Sequence, residues 1–77
     1  MNAFENTPKT LAEAREARGW SQPYVARALG ISVPMVSLIE NGKREPTNAQ
    51  LFVLATLFGK GVAEVASWFD TAANKAA

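Results

Sequence analysis

Cysteine and histidine are both absent from this sequence of 77 residues. Without cysteine, the chain can form neither a disulfide nor a thiolate metal site. Without histidine, it lacks the usual zinc ligand and the commonest general acid–base group. The sequence also has no glycine-rich phosphate loop and no pair of carboxylates on one helical face pointing into an obvious cleft. We therefore expect no enzymatic activity, no metal and no cofactor.

Long apolar runs are missing as well. No run approaches the roughly 20 residues that a membrane-spanning helix needs. The N-terminal stretch Met1–Glu5 lacks the basic and apolar regions of a signal peptide. These features predict a cytoplasmic protein that does not associate with membranes.

The charges nearly balance, with 8 basic and 7 acidic residues and a net charge of +1. The total charge therefore does not indicate a nucleic-acid partner. Evidence for such a partner has to come from where the basic residues lie in the chain. The hydrophobic share of 48% is enough for a globular core. We expect one domain over residues 1–77, with an ordered core at about 8–70 and flexible tails at 1–6 and 74–77.

A local pattern occurs twice, eleven residues apart, in the middle of the chain. Ser21 followed by Pro23 is repeated as Ser32 followed by Pro34. Serine is a favoured N-cap and proline is tolerated in the first turn, so each copy predicts the start of a helix. Gly30 separates the two helices by a turn too tight for an antiparallel pair. The pattern therefore predicts a helix-turn-helix.

Three further helices flank this pair. The first starts at Thr7 or, through a capping box with Glu13, at Thr10, and it ends at Gly19. The next is predicted over 48–58, opened by a second capping box, and the last from 62 to about 73. No strand is expected, so the predicted class is all-α.

The stretch from Gln22 to Asn41 resembles the helix-turn-helix of the phage Cro and lambda-type repressor (XRE-like) superfamily. The resemblance is carried by Ser21-Gln22, Val25-Ala26, Leu29-Gly30-Ile31-Ser32 and Ile39-Glu40-Asn41-Gly42-Lys43. It extends over roughly residues 11–65 and implies a compact five-helix bundle like the lambda repressor DNA-binding domain. It also implies that small Ala26 lies where the two helices approach, with Val36 and Ile39 in the core.

The family resemblance also implies an ion pair between the first helix and the end of the recognition helix. The matching residues are Arg15 and Glu40. The alternative is that both are ordinary solvated charges. Because Glu40 follows the core position Ile39, we favour a structural ion pair.

Two sets of residues are expected to contact double-stranded DNA. By resemblance, phosphates are bound by Gln22, Asn41, Lys43 and Arg44. Bases are read by the exposed face of the recognition helix, formed by Ser32, Val33, Pro34, Ser37 and Leu38. Here the chain departs from the family, which usually has long polar side chains at positions 33 and 38. Val33 and Leu38 cannot make bidentate hydrogen bonds to bases, although they can contact thymine methyl groups.

We expect a homodimer, because proteins of this class bind two half-sites one helical turn apart. The proposed contact lies on the last helix, at Val65, Trp68 and Phe69. An apolar surface this wide indicates either a partner or complete burial. The alternative is that Trp68 folds over the edge of its own domain.

Two functions are compatible with these sequence features. The first is a prokaryotic or phage transcriptional regulator, such as a Cro-like repressor or the controller protein of a restriction–modification system, that binds a palindromic operator. No sensor for a small-molecule ligand is expected. The second is a protein-interaction module, an adaptor or antitoxin-like partner with weak or no DNA binding, which the apolar Val33 and Leu38 would favour.

Overall fold

The computed structural model describes residues 7–69, which form five α-helices and contain no strand. The helices are α1 (Leu11–Ala17), α2 (Gln22–Leu29), α3 (Val33–Glu40), α4 (Asn48–Phe58) and α5 (Val62–Ser67). The all-α prediction is confirmed, and α2 and α3 start directly after Ser21 and Ser32, as the repeated pattern predicts. The predicted tails and the predicted end of the last helix at 70–73 lie outside the described residues.

Side-chain caps fix the starts of the first four helices. Thr10 accepts a hydrogen bond from the backbone N–H of Glu13 at 3.1 Å, so α1 starts at the later of its two predicted positions. Ser21 and Ser32 each accept one from the backbone N–H three residues on, at 3.2 Å. Ahead of α4, Thr47 and Gln50 bond reciprocally as a capping box. These caps are local, which is why the sequence predicts them.

Gly30 ends α2 in the left-handed conformation, with φ of 71°. The N–H of Ile31 then donates to the carbonyl of Ala26 at 3.0 Å, which closes the C-terminal turn of the helix. Only Ile31 and Ser32 separate Gly30 from the first residue of α3. The chain therefore changes direction between α2 and α3 within three residues.

All five helices contribute to one apolar core. Its buried residues are Leu11, Ala14, Val25, Ala26, Val36, Ile39, Leu54, Ala55, Phe58, Val65 and Trp68. Counted as whole residues, no polar or charged residue among those described is fully buried, although the side chain of Glu40 is only 5% exposed. The predicted core positions Ala26, Val36 and Ile39 are confirmed, and they hold α2 and α3 together on their inner faces.

The last helix is shorter than its pattern predicts, because α5 ends at Ser67. The hydroxyl of Ser67 donates to the carbonyl of Glu64. The N–H groups of Trp68 and Phe69 each donate to a carbonyl three residues back, at 3.0 Å. Such bonds tighten the last turn in place of the α-helical pattern. Trp68 is 4% exposed, and its ring meets that of Phe58 edge-on at 5.2 Å.

Candidate nucleic-acid interface

The outer face of α3 contains the five residues that were predicted to read bases. Val33, Pro34 and Leu38 are exposed, at 36% for Val33 and 42% for Leu38. Ser32 is exposed at the N-cap, and Ser37 is half-buried. Because Val36 and Ile39 on the opposite face are buried, α3 presents this outer face to solvent. The structure thus brings the predicted readout residues together on one accessible surface.

The polar groups on this face are few and partly engaged. The hydroxyl of Ser32 accepts the capping hydrogen bond from Met35, and that of Ser37 accepts one from the Asn41 amide at 3.3 Å. A hydroxyl that accepts one bond still has its own O–H and a second lone pair. Pro34 has no backbone N–H. The face therefore offers two hydroxyls and no amide, guanidinium or ammonium group.

Cations lie directly after α3. The backbone N–H groups of Lys43 and Arg44 both donate to the carbonyl of Leu38, at 2.9 and 3.2 Å, which holds the loop against the end of the helix. Both side chains are exposed. Within residues 7–69, neither cation has a carboxylate within ion-pair distance. Asn41, the C-cap of α3, is exposed beside them.

Gln22, the first residue of α2, has a contact that the sequence does not predict. Its Nε2 donates to Oε1 of Glu40 at 2.9 Å. Its second amide hydrogen and its carbonyl oxygen are not used by that bond. Gln22 is half-buried, so it is both part of the protein's own network and accessible at the start of α2.

The structure brings Arg15 and Glu40 together at the base of this surface. Nε of Arg15 donates to Oε2 of Glu40 at 2.7 Å, and Nη2 donates to Oε1 at 3.3 Å. Nη1 of Arg15 donates to the carbonyl of Trp20 at 2.9 Å. The side chains of Arg15 and Glu40 are 12% and 5% exposed. A buried carboxylate requires such partners, and Glu40 has Arg15 and Gln22.

The hydrogen bond that Arg15 donates to Glu40 raises the pKa of Arg15, outweighing the opposing effect of burial. A cation with a raised folded-state pKa keeps its stabilising effect at every pH below its ordinary value. It loses that effect only as the pH rises through the higher folded-state pKa. Arg15 therefore stays charged, and its contribution is constant, throughout the neutral range.

The predicted dimer contacts on the last helix need correction. Val65 and Trp68 are core residues of the chain itself, and only Phe69 is half-buried. The burial of Trp68 against Phe58 agrees with the alternative in which this tryptophan folds over its own domain. Val65 and Trp68 are three residues apart, so they share one face of the last helical turn, and that face is turned to the core.

A separate exposed apolar surface lies on α4. We call it the α4 patch; it is a shallow groove lined by Phe52, Val53, Thr56 and Leu57. Phe52 is 63% exposed, the highest value among the large apolar side chains of the described residues. The helix has no charged residue from Asn48 to Phe58. Phe52 and Val53 lie outside the buried positions of the helix, which are Leu54, Ala55 and Phe58.

Residues 7–69 contain neither a membrane-spanning helix nor a metal-binding cluster. No helix there has the length and hydropathy to span a membrane. In the same residues, no cluster of three or more His, Cys, Asp or Glu side chains could hold a metal ion.

The geometry of α2, the turn and α3 agrees with a comparison against protein families. The family model described as helix-turn-helix matches residues 11–65, which include all of α1 to α4 and part of α5. The chain belongs to the helix-turn-helix family. The helix-turn-helix match also spans both members of the Arg15–Glu40 pair and the whole exposed face of α3.

A curated helix-turn-helix relative is the HTH-type transcriptional regulator SutR of Escherichia coli (strain K12). It is 43% identical to the chain over 47 residues, which are 61% of this chain and 26% of SutR. The matched part thus spans about a quarter of that regulator. No solved structure matches the chain. The family match and this relative thus agree on a helix-turn-helix in this chain.

Proposed function

We propose that this chain binds double-stranded DNA in a sequence-dependent manner and regulates transcription. The observation that carries the proposal is the exposed face of α3 in a chain of the helix-turn-helix family, with Lys43 and Arg44 beside it and no ion pair to either cation within residues 7–69. In this proposal α3 enters the major groove, where its outer residues meet base edges. The specific form that we propose is a repressor or Cro-type controller in a prokaryotic or phage-infected cytoplasm.

Phosphate contacts supply affinity and register in such a complex. We assign them to Lys43 and Arg44 after α3, to Asn41 at its end and to Gln22 at the start of α2. The cations have no partner among the described residues, so binding a phosphate breaks no ion pair. Gln22 keeps one amide hydrogen for a phosphate while its other contact holds Glu40.

Base readout is assigned to Ser32, Val33, Pro34, Ser37 and Leu38. The two hydroxyls can donate to several bases, and the apolar side chains can contact thymine methyl groups. DNA shape, read through the energy of deforming the duplex, would supply the remaining specificity.

We propose further that the chain acts as a homodimer on a palindromic operator, with the second copy on the α4 patch. A twofold contact brings the same surface of both copies together. Because α4 has no charged residue, the patch does not repel a copy of itself. Its four side chains cover well below the roughly 800 Å² per partner of a standard interface. We therefore expect a dimer that is weak in free solution and is stabilised when both copies hold the same duplex.

A second candidate function is a protein-interaction module that has lost DNA binding. The observation in its favour is that Val33 and Leu38 give the exposed face of α3 an apolar character. An adaptor or antitoxin-like partner would cover these side chains with a protein surface instead of base edges.

Selection from a random duplex library at about 50 mM salt separates the two functions. A regulator enriches a palindromic sequence, and its complex dissociates as the salt concentration rises. A promoter carrying that sequence, fused to a reporter, then tests repression. Failure to retain any duplex at low salt would contradict DNA binding and favour the interaction module.

A further inference from the structure

We propose that α3 reads the 5-methyl group of pyrimidines, so that thymine and 5-methylcytosine are equivalent at the positions facing Val33 and Leu38. This inference rests on the proposed DNA binding and names the chemical class of the bases that it recognises. The operator would then be defined by where it has methyl groups in the major groove rather than by one fixed hydrogen-bonding pattern.

The chemistry of the outer face of α3 carries this inference. Guanine and adenine are usually read by bidentate hydrogen bonds from arginine, lysine, asparagine or glutamine. No such side chain lies on α3, whose one charged residue, Glu40, is held by Arg15 and Gln22. The large groups that α3 does expose are Val33 and Leu38. Thymine has the only apolar group that an unmodified base pair presents in the major groove, and that group is its methyl.

The spacing of the two side chains lets each read its own base pair. Val33 and Leu38 are five residues apart, which is about 7.5 Å along a helix axis. Base pairs are stacked about 3.4 Å apart. The two side chains are therefore far enough apart to contact different base pairs.

The hydroxyls on this face do not prevent the exchange of thymine for 5-methylcytosine. The exchange keeps the methyl group in place but replaces the O4 acceptor of thymine by the N4 donor of cytosine. Ser32 and Ser37 each accept one intramolecular hydrogen bond, which leaves an O–H to donate and a lone pair to accept. Each hydroxyl can thus turn to suit either base, and discrimination falls to the methyl contacts.

The test starts from the sequence enriched by library selection. Dissociation constants are measured for duplexes in which a single thymine is replaced by deoxyuridine, which removes only the methyl group. Burial of one such carbon group contributes about 0.8 kcal/mol, so we expect about a fourfold loss of affinity at each of two positions per half-site. Deoxyuridine elsewhere in the duplex serves as the control.

The same two positions are then changed to a C·G pair, with and without the 5-methyl group on cytosine. The unmethylated pair should weaken binding about fourfold, and the methylated pair should restore it to within about twofold of thymine. Leu38→Ala and Val33→Ala are matched variants on exposed positions. Each should abolish the effect of deoxyuridine at its own base pair and leave the other base pair sensitive.

Three results would overturn the inference. A selected site that binds equally well with deoxyuridine at every position would remove methyl readout while leaving DNA binding in place. Equal affinity for methylated and unmethylated C·G would remove the equivalence of the two pyrimidines. Selection that enriches no sequence would overturn the proposed function itself, and the inference with it.

Discussion

Arg15 in α1 and Glu40 at the end of α3 form a two-point contact, with Nε 2.7 Å from Oε2 and Nη2 3.3 Å from Oε1. The contact joins residues 25 positions apart in the chain. It lies beneath the surface that we assign to DNA, and Gln22 extends it to the start of α2. Because the guanidinium is planar and binds through two of its nitrogens, the contact fixes an orientation as well as a distance.

Removal of Arg15 should be costly, because it leaves the Glu40 carboxylate with a lone amide partner. We expect Arg15→Met to lower the free energy of unfolding by about 3–5 kcal/mol, measured by urea denaturation. The double variant Arg15→Met with Glu40→Leu should recover most of that loss, since no buried charge remains. Lys9→Met, on an exposed cation, is the control. A loss of less than about 1 kcal/mol for Arg15→Met would place the pair among ordinary surface ion pairs.

Gly30 should not tolerate a side chain, for a reason of backbone conformation alone. Its φ is 71°, and a Cβ at this position would have no atom within 4 Å other than those of Gly30 and its chain neighbours. Gly30→Ala should therefore cost about 1–2 kcal/mol through the left-handed conformation and not through a clash. Gly61→Ala is a matched control, because Gly61 also has open space but a φ of −71°. Equal melting temperatures for the two variants would contradict this account.

The α4 patch predicts how a charge should separate dimer contacts from DNA contacts. We expect Phe52→Glu to weaken binding to a duplex with two half-sites while leaving binding to a single half-site unchanged, both measured by titration. Ala17→Glu adds the same charge on exposed α1 and is the control. If Phe52→Glu keeps the full affinity for the two-site duplex, the second copy does not bind at this patch.

Salt dependence tests the assignment of Lys43 and Arg44. Two cations in each of two copies neutralise roughly four phosphates, so the logarithm of the binding constant should fall with the logarithm of salt concentration with a slope near −4. Lys43→Gln should reduce the magnitude of the slope by about two, one unit for each copy. Lys9→Gln removes an equal charge from an exposed position outside the site, and it should leave the slope as it is. An unaltered slope for Lys43→Gln would exclude that side chain from phosphate contact.

The sequence predicts the helix starts well because their causes are local. Ser21, Ser32 and Thr47 each cap a helix through a backbone N–H three residues away. Such contacts depend on a few neighbouring residues, so a reading of the chain finds them without knowing the fold. The left-handed conformation of Gly30 also has a local cause, since glycine is the residue that most easily ends a helix in this way.

What the sequence does not predict depends on packing between distant segments. Gln22 reaches Glu40 across 18 positions, and nothing near either residue indicates this contact. The place of Trp68 depends on the ring of Phe58, on another helix. The α4 patch is indicated in part by the sequence, because Phe52 and Val53 fall outside the positions Leu54, Ala55 and Phe58 that α4 contributes to the core.

The hydrogen bonds that Arg15 and Gln22 donate to Glu40 have a mechanical consequence. Gln22 at the beginning of α2 is bonded to Glu40 at the end of α3, so a change in the separation of these two helix ends would cost this hydrogen bond. A duplex whose phosphates are spaced slightly differently must bend or twist to meet them. The energy of deforming the duplex would then be subtracted from the binding free energy. Because that energy depends on the DNA sequence, flexible sequences would bind more tightly than stiff ones.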